Sequence, residues 1–271
     1  MHLSNVHPPV VPSASRLARG VVLLGATSLA LGLTVGLASC ASYTHIPQGV
    51  RTALSARHTG RTVELKQSCY FGDLYDENEK WLLSPYPFAE TFHIVDTEGA
   101  PIHPQGQRGI LPAGTTFVVQ QVEFPDGAAM TRRMFTTPRY NTWVYLSPAE
   151  GSAAQLQDRR SFIMILPLGI DTEQQVEDAI GRVLAPQGET SKWLATLRPT
   201  VRVAIENKDI VVGMTQDELT ASQGEPQRWF NETDATGKAR VAWYPSKEAW
   251  LRNDTVAEIK PGRAAEAVGQ H

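Results

Sequence analysis

Cysteine is nearly absent: there are two in 271 residues, Cys40 and Cys69. So few thiols exclude a disulfide-rich scaffold and any zinc site built from thiolates. An excess of basic charge is also missing. Lys and Arg number 25 against 28 Asp and Glu, a formal net charge of −3, which leaves no electrostatic footprint for nucleic acid. There is no internal repeat and no coiled-coil heptad. Neither a serine elbow nor a phosphate loop is present: Gly109-Ile-Leu-Pro-Ala-Gly114 runs into two threonines, with no lysine to reach a phosphate. What the chain does contain is enough apolar and aromatic matter for folded cores, including six Trp, which excludes wholesale disorder.

The N-terminus carries the sharpest signal. Arg16 and Arg19 precede Val21–Ala38, a stretch of 18 residues without a charge that ends in small residues. A basic start, an apolar middle and small residues at the end are the parts of a secretory signal, and 18 residues lie at the lower limit for a membrane-spanning helix. Leu37-Ala38-Ser39-Cys40 then resembles a bacterial lipobox. That resemblance implies removal of 1–39, palmitate-type acylation of Cys40, and attachment to membrane lipid through that residue. Loss of Arg16 and Arg19 with the leader takes the formal charge from −3 to −5. Each buried methylene contributes about 0.8 kcal/mol, and two or three chains hold a protein at a membrane effectively permanently. Ala41 and Ser42 follow, unlike the aspartate-bearing inner-membrane retention signal. The expected location is the outer membrane, with the body in the periplasm.

Residues 40–61 are rich in Ser, Thr, Gly, Pro and His and read as the lipidated cysteine and a flexible tether. From 62 to 168 the pattern is β. Val63, Leu65, Cys69 and Phe71 share one side of a period-two alternation that Gln67 interrupts. Phe88, Phe92 and Ile94 continue it, and further strands are expected at 115–122, 131–135, 142–146 and 162–166, with Asp126-Gly127 as a hairpin turn. Short strands at this spacing predict a small antiparallel barrel or sandwich. The phrase Leu111-Pro-Ala-Gly-Thr115 before a strand resembles bacterial SH3-like barrels. Residues 169–204 read as a helical connection: Asp171 opens a helix with Val176, Ala179, Ile180, Val183 and Leu184 as its apolar stripe, and a second short helix at 191–197 stops at Pro199. The trio Val201, Val203 and Ile205 fits a strand or a connecting segment. The fold class expected overall is α+β.

Residues 205–262 form a distinct module, before a flexible tail at 263–271. Thr215 can cap a helix whose third residue, Glu218, can return a bond to the cap amide, while Met214 and Leu219 match a hydrophobic staple. Gly224 suits the left-handed stop and Pro226 forbids continuation. Strand material follows in three pieces, with an Asn253-Asp254 turn, so the helix is expected on one face of a three-stranded antiparallel sheet. Ile210, Gly213-Met214-Thr215, Glu218-Leu219, Gly224-Glu225-Pro226, Trp243-Tyr244, Val256 and Ile259 together resemble the BamE/SmpA/OmlA family of outer-membrane lipoproteins. Gln223 stands where leucine is common there. The resemblance implies two short helices on a three-stranded sheet, as in β-lactamase-inhibitor-like proteins, and a binding or scaffolding role linked to outer-membrane protein assembly. It brings no catalytic residues and no cofactor.

The remaining chemistry is thin. Cys69 has no base beside it and reads as a buried thiol. His93, Asp96 and His103 are too loosely spaced for a metal site, and Asp73, Asp76, Glu77 and Glu79 read as a solvated loop. If Val241 and Trp243 face the helix, then Arg240 and Tyr244 face outward and, with Trp250, make the candidate partner surface. The reading that follows is a non-enzymatic outer-membrane lipoprotein that binds an envelope protein. Its alternatives are an inhibitor-like module for a soluble periplasmic enzyme, or a periplasmic hydrolase.

Overall fold

The computed structural model describes residues 44–150 and 161–263. The residues expected to form a lipobox, Leu37, Ala38 and Ser39, the expected acylation site Cys40, and the tail beyond Arg263 lie outside them.

Eight strands form one open mixed sheet: β1 (Thr62–Leu65), β2 (Cys69–Leu74), β3 (Glu77–Ser84), β4 (Gln107–Leu111), β5 (Thr116–Glu123), β6 (Trp143–Pro148), β7 (Ser161–Ile165) and β8 (Leu184–Pro186). Their order is β4-β2-β3-β7-β6-β5-β1-β8. Every pairing is antiparallel except β3 with β7. The barrel or SH3-like closure expected from the sequence does not form, because β4 and β8 remain as edges. Curvature is nevertheless built in. The edge strand β4 joins β5, near the opposite edge, through only Pro112–Thr115, and that short connection obliges the sheet to curl.

Both faces of this sheet are buried, which explains its continuous apolar runs. In β7, Phe162 and Met164 enter one core while Ile163 and Ile165 enter the other. The first core is covered by α1 (Gln48–His58) and α3 (Glu173–Val183). The second lies under a 3-10 turn at Phe88–Glu90 and Ile94, where the sequence alternation predicts strand.

Several sequence expectations are corrected here. Residues 40–61 are not simply a tether: Ile46 and Leu54 are buried in the first core, and Leu54 occupies the inner stripe of α1. His58 and Arg57 at the end of α1 pair with Glu177 on α3 at 3.0 and 2.7 Å. Asp126 does not start a hairpin. Its carboxylate accepts from the Ala129 amide at 2.8 Å and caps α2 (Gly127–Arg132), which replaces the strand expected at 131–135. The stretch 169–204 is divided between the two halves of the chain. Helix α3 starts at Thr172, in a capping box with Gln175, and together with β8 it completes the β-rich half. Helix α4 (Glu189–Thr196) follows, and Pro199 then opens α5 (Pro199–Glu206) instead of ending a helix.

The second sheet is a meander of four strands, not three: β9 (Arg228–Asp234), β10 (Gly237–Tyr244), β11 (Lys247–Arg252) and β12 (Thr255–Pro261), ordered β12-β11-β10-β9. Asn253 and Asp254 both have positive φ, as a tight hairpin turn of the primed kind requires. Helices α5 and α6 (Gln216–Gln223) pack on one face through Val201, Ala204, Ile205 and Leu219. Thr215 caps α6, with its hydroxyl accepting from Glu218 and the Glu218 carboxylate accepting from the Thr215 amide at 2.7 Å. Met214 and Leu219 are fully buried in the same cluster. Gly224 ends the helix at φ 84° and ψ 179°, so its φ is left-handed while its ψ is extended.

The face assignment in β10 is reversed. Ala242 and Tyr244 lie on the helix side, while Val241, with Trp250 and Ala239, forms a small core on the other side. Tyr244 is therefore buried, its hydroxyl donating to the Gly224 carbonyl at 3.0 Å. Trp250 is buried as well, beneath Lys260 at 3.3 Å from its ring. Of the candidate partner surface only Arg240 is exposed, stacked over Trp229 and donating to Gln216. A sheet covered on one face only would leave the residues of its other face exposed. Here the second face is also covered, by Arg263, which pairs with the buried Glu248 and lies over Phe230 and Trp250.

Candidate functional site

The two sheets meet at Lys66-Gln67-Ser68, the connection between β1 and β2. The end of α3 leaves carbonyls without helical partners, and this connection supplies donors to three of them. The Lys66 ammonium reaches Gly181, the Gln67 amide reaches Arg182, and the Lys66 backbone N–H reaches Val183 at 2.8 Å. Ser68 ties the other half. Its amide donates to Ala221 on α6 at 2.9 Å, and its hydroxyl donates to Ile205 on α5 at 2.6 Å while accepting from Ala113.

Lys208 completes this joint. It is 2% exposed, and its ammonium donates to the carbonyls of Ser68 (2.7 Å), Pro85 (2.9 Å) and Ser222 (2.7 Å). All three N–H groups are thus satisfied by backbone oxygens contributed by both halves, and the ring of Tyr70 lies 5.0 Å away. Burial pushes Lys208 down to about 7, although three acceptors favour the charged form. Gln223 donates to the Lys208 carbonyl at 2.6 Å, so its polarity serves the joint. Gly224 is required beside it: at φ 84° an added Cβ would stand 3.2 Å from both Gln67 and Tyr86.

Above the joint opens a cleft of about 760 Å³. One wall is α3 with Asp178 and Arg182, another is the start of α4 with Glu189 and Trp193, and the third is α6 with Asp217, followed by Glu225. Five carboxylates line it against two bases, Lys66 and Arg182. Glu177 is paired with Arg57 and lies 3.0 Å from His58 Nε2, while Glu189 and Asp217 sit in first turns where the helix dipole favours them. The Oε1 of Gln67 is buried at the cleft floor with no hydrogen-bond partner among the described residues. Behind the α4 wall, Glu64 on β1 is 3% exposed. Its two oxygens accept from the Ser191 amide (3.0 Å) and hydroxyl (2.6 Å). Burial acts to raise its pKa, but those bonds and the amides of Gly188 and Thr190 outweigh it and hold the carboxyl below its ordinary range.

The other residues singled out in the sequence are not brought together. Cys69 is fully buried, which pushes its thiol up to about 12 and keeps it neutral. His93 packs on Tyr86 and is driven down to about 4 by burial, while His103 packs on Phe92. Asp96 accepts the amides of Glu98 and Ala100 in a local turn. Asp73 pairs with Arg108 and Glu77 with Lys80. Among the described residues no group of three or more His, Cys, Asp or Glu is placed to hold a metal, and no helix is long and apolar enough to cross a membrane. Lys208 and Glu64 carried no usable signal. Gln67 did: a polar residue breaking an inner-face alternation marks a place where the strand is interrupted for a purpose.

The fold and cleft define an α+β chain of two packed sheets with a polar joint between them. No family model, curated protein or solved structure matches it.

Proposed function

We propose that this chain is a non-enzymatic, lipid-anchored binding module of the bacterial outer membrane, held by acylated Cys40 with its body in the periplasm. The cleft between its two halves receives another envelope protein. The observation that carries the reading is the cleft itself, walled by helices from both halves and closed at its base by Lys66 and Gln67 of the polar joint. A largely pre-formed concavity where two folded parts meet is the usual place for a ligand. Its acidic lining suits a partner segment bearing Lys or Arg. The lipobox residues Leu37, Ala38, Ser39 and Cys40 support the anchor, and the family resemblance of 205–262 supports a scaffolding role in outer-membrane assembly. Cys69, neutral and buried, takes a packing role in this reading.

The test is photo-cross-linking in intact cells, with the reactive residue at Asp217 or Trp193. A discrete adduct with a second envelope protein is expected from both positions. Absence of any adduct from either, while the protein accumulates normally, refutes the cleft as the docking site. Cys40→Ser tests the anchor separately: unchanged mass and unchanged membrane retention would refute it.

A further inference from the structure

One surface feature has no role in either core. In the segment after α2, Met134 is 45% and Phe135 89% exposed. This tip is not loose. Arg133 is 4% exposed and anchors its base, donating to the Glu123 carboxylate at 3.0 and 2.8 Å and to the carbonyls of Arg139 and Asn141 at 2.8 and 2.7 Å. The same guanidinium lies 4.1 Å from the centre of the Trp143 ring. Thr137 closes the turn onto the Met134 carbonyl through its amide (3.1 Å) and its hydroxyl (2.7 Å). Arg139 stacks on Phe135 at 4.3 Å. A rigid base therefore presents two large apolar side chains to solvent, with a guanidinium against one of them.

The position of the tip relative to the lipid site is informative. Ile46 is already packed in the core, six residues after Cys40. A chain of that length spans at most roughly 20 Å, so an acyl group at Cys40 holds the start of α1 close to the bilayer. Helix α2 lies beside that start, since Gln48, Arg51 and Thr52 of α1 line one cavity together with Ala128 and Arg132 of α2. The tip follows α2 directly. Arg51, Arg132, Arg133 and Arg139 outnumber Glu123 and Asp126 around it, so this side is net basic, as an anionic leaflet favours.

We propose that Met134 and Phe135 form a second membrane contact, an apolar tip that enters the interfacial layer of the leaflet holding the Cys40 lipid. The proposal rests on the lipid anchor of the preceding section. With the tip seated, the body has two attachments and a fixed orientation in place of a swivel about one.

The test uses the full acylated chain with Phe135→Cys. Cys69 is buried and Cys40 carries lipid, so an environment-sensitive fluorophore attaches at 135 alone. The same label at exposed Val212→Cys, in the other half of the chain, serves as the control. In vesicles of phosphatidylglycerol and phosphatidylethanolamine carrying spin-labelled lipid, the label at 135 is expected to shift to the blue. It should also be quenched at least several-fold more than the label at 212. A chain that floats with the vesicles while its 135 label stays in water overturns the tip and leaves the anchor intact. A chain that does not float overturns both. Shielding of 135 only after envelope protein extract is added overturns the tip as a lipid contact, because a protein then covers it.

Discussion

Replacing Lys208 with methionine tests the joint on which the cleft depends. Methionine keeps most of the side-chain volume and removes all three donors. The carbonyls of Ser68, Pro85 and Ser222, now accepting at 2.7, 2.9 and 2.7 Å, are then left buried without partners. Each such orphan costs about 1–3 kcal/mol. Relief of the cost of burying an ammonium offsets part of the sum, which leaves a net loss of about 3 kcal/mol. For a chain of this size that lowers Tm by roughly 6–12 °C.

The pH dependence gives a second readout with a definite sign. Burial holds the folded pKa of Lys208 at about 7, against an ordinary value of 10.5. Between those values the unfolded chain binds a proton that the folded chain has lost, so folding stability attributable to this residue rises with pH. Below about 7 both states are protonated and the contribution is flat. Wild type should therefore gain on the methionine variant as pH rises above about 7. Urea unfolding of both proteins across that range, followed by circular dichroism, measures the difference directly. Equal stability to within about 0.5 kcal/mol at every pH would refute the joint as a source of stability. A pH-independent difference would refute the perturbed lysine alone.

Three further outcomes follow from the same geometry. Thr215→Ala removes the hydroxyl that accepts from Glu218 and should cost about 1 kcal/mol, read as a lower urea midpoint with unchanged slope. Glu64→Gln weakens the carboxylate cap on α4 and should cost about 1–2 kcal/mol near neutral pH. Because the Glu64 carboxyl is held below its ordinary range, its stabilisation is present above the unfolded carboxylate pKa and fades as pH falls through the folded one, so the two proteins should converge in acid melts. Gly72→Ala should be worse than either, because the new Cβ would clash with the Gly106 carbonyl and stand 2.8 Å from Gln107 Cα on the neighbouring backbone; a melting temperature within 1 °C of wild type would refute that clash.

What the sequence made legible was local. The start of α6 was readable because a cap, its reciprocal glutamate and a staple all lie within a few residues of Thr215. The strand at 161–165 was readable because burial on both faces leaves an unbroken apolar run. What failed depended on distant partners. Val201, Val203 and Ile205 favour a strand by residue type, yet Val201, Ala204 and Ile205 fall at helical spacing, and Val203 simply points outward at 51% exposure. The alternation through 240–244 was correct, but no local feature says which of two faces the helices will take. Residues 40–61 read as a tether because one fully buried leucine, Leu54, is enough to seat a helix at Gln48–His58 whose other residues are mostly solvent-facing.

The candidate site shows the same limit in a sharper form. Its walls carry ordinary surface acids, and its base is held by groups that look unremarkable one at a time: a glutamine, a serine, and a lysine between Asn207 and Asp209. Their importance arises because the carbonyls at the end of α3 and around the joint must find donors once the two halves pack together. An apolar joint of equal area would leave those oxygens buried and unpaired, and it would fix neither register nor angle between the sheets. Lys208 bonds to three oxygens from separate segments, and Ser68 bonds to three more backbone groups. Sliding one half against the other breaks several of these at once. The spacing of the cleft walls is therefore set by hydrogen-bond geometry, which makes the cleft a shaped site and not a flexible seam.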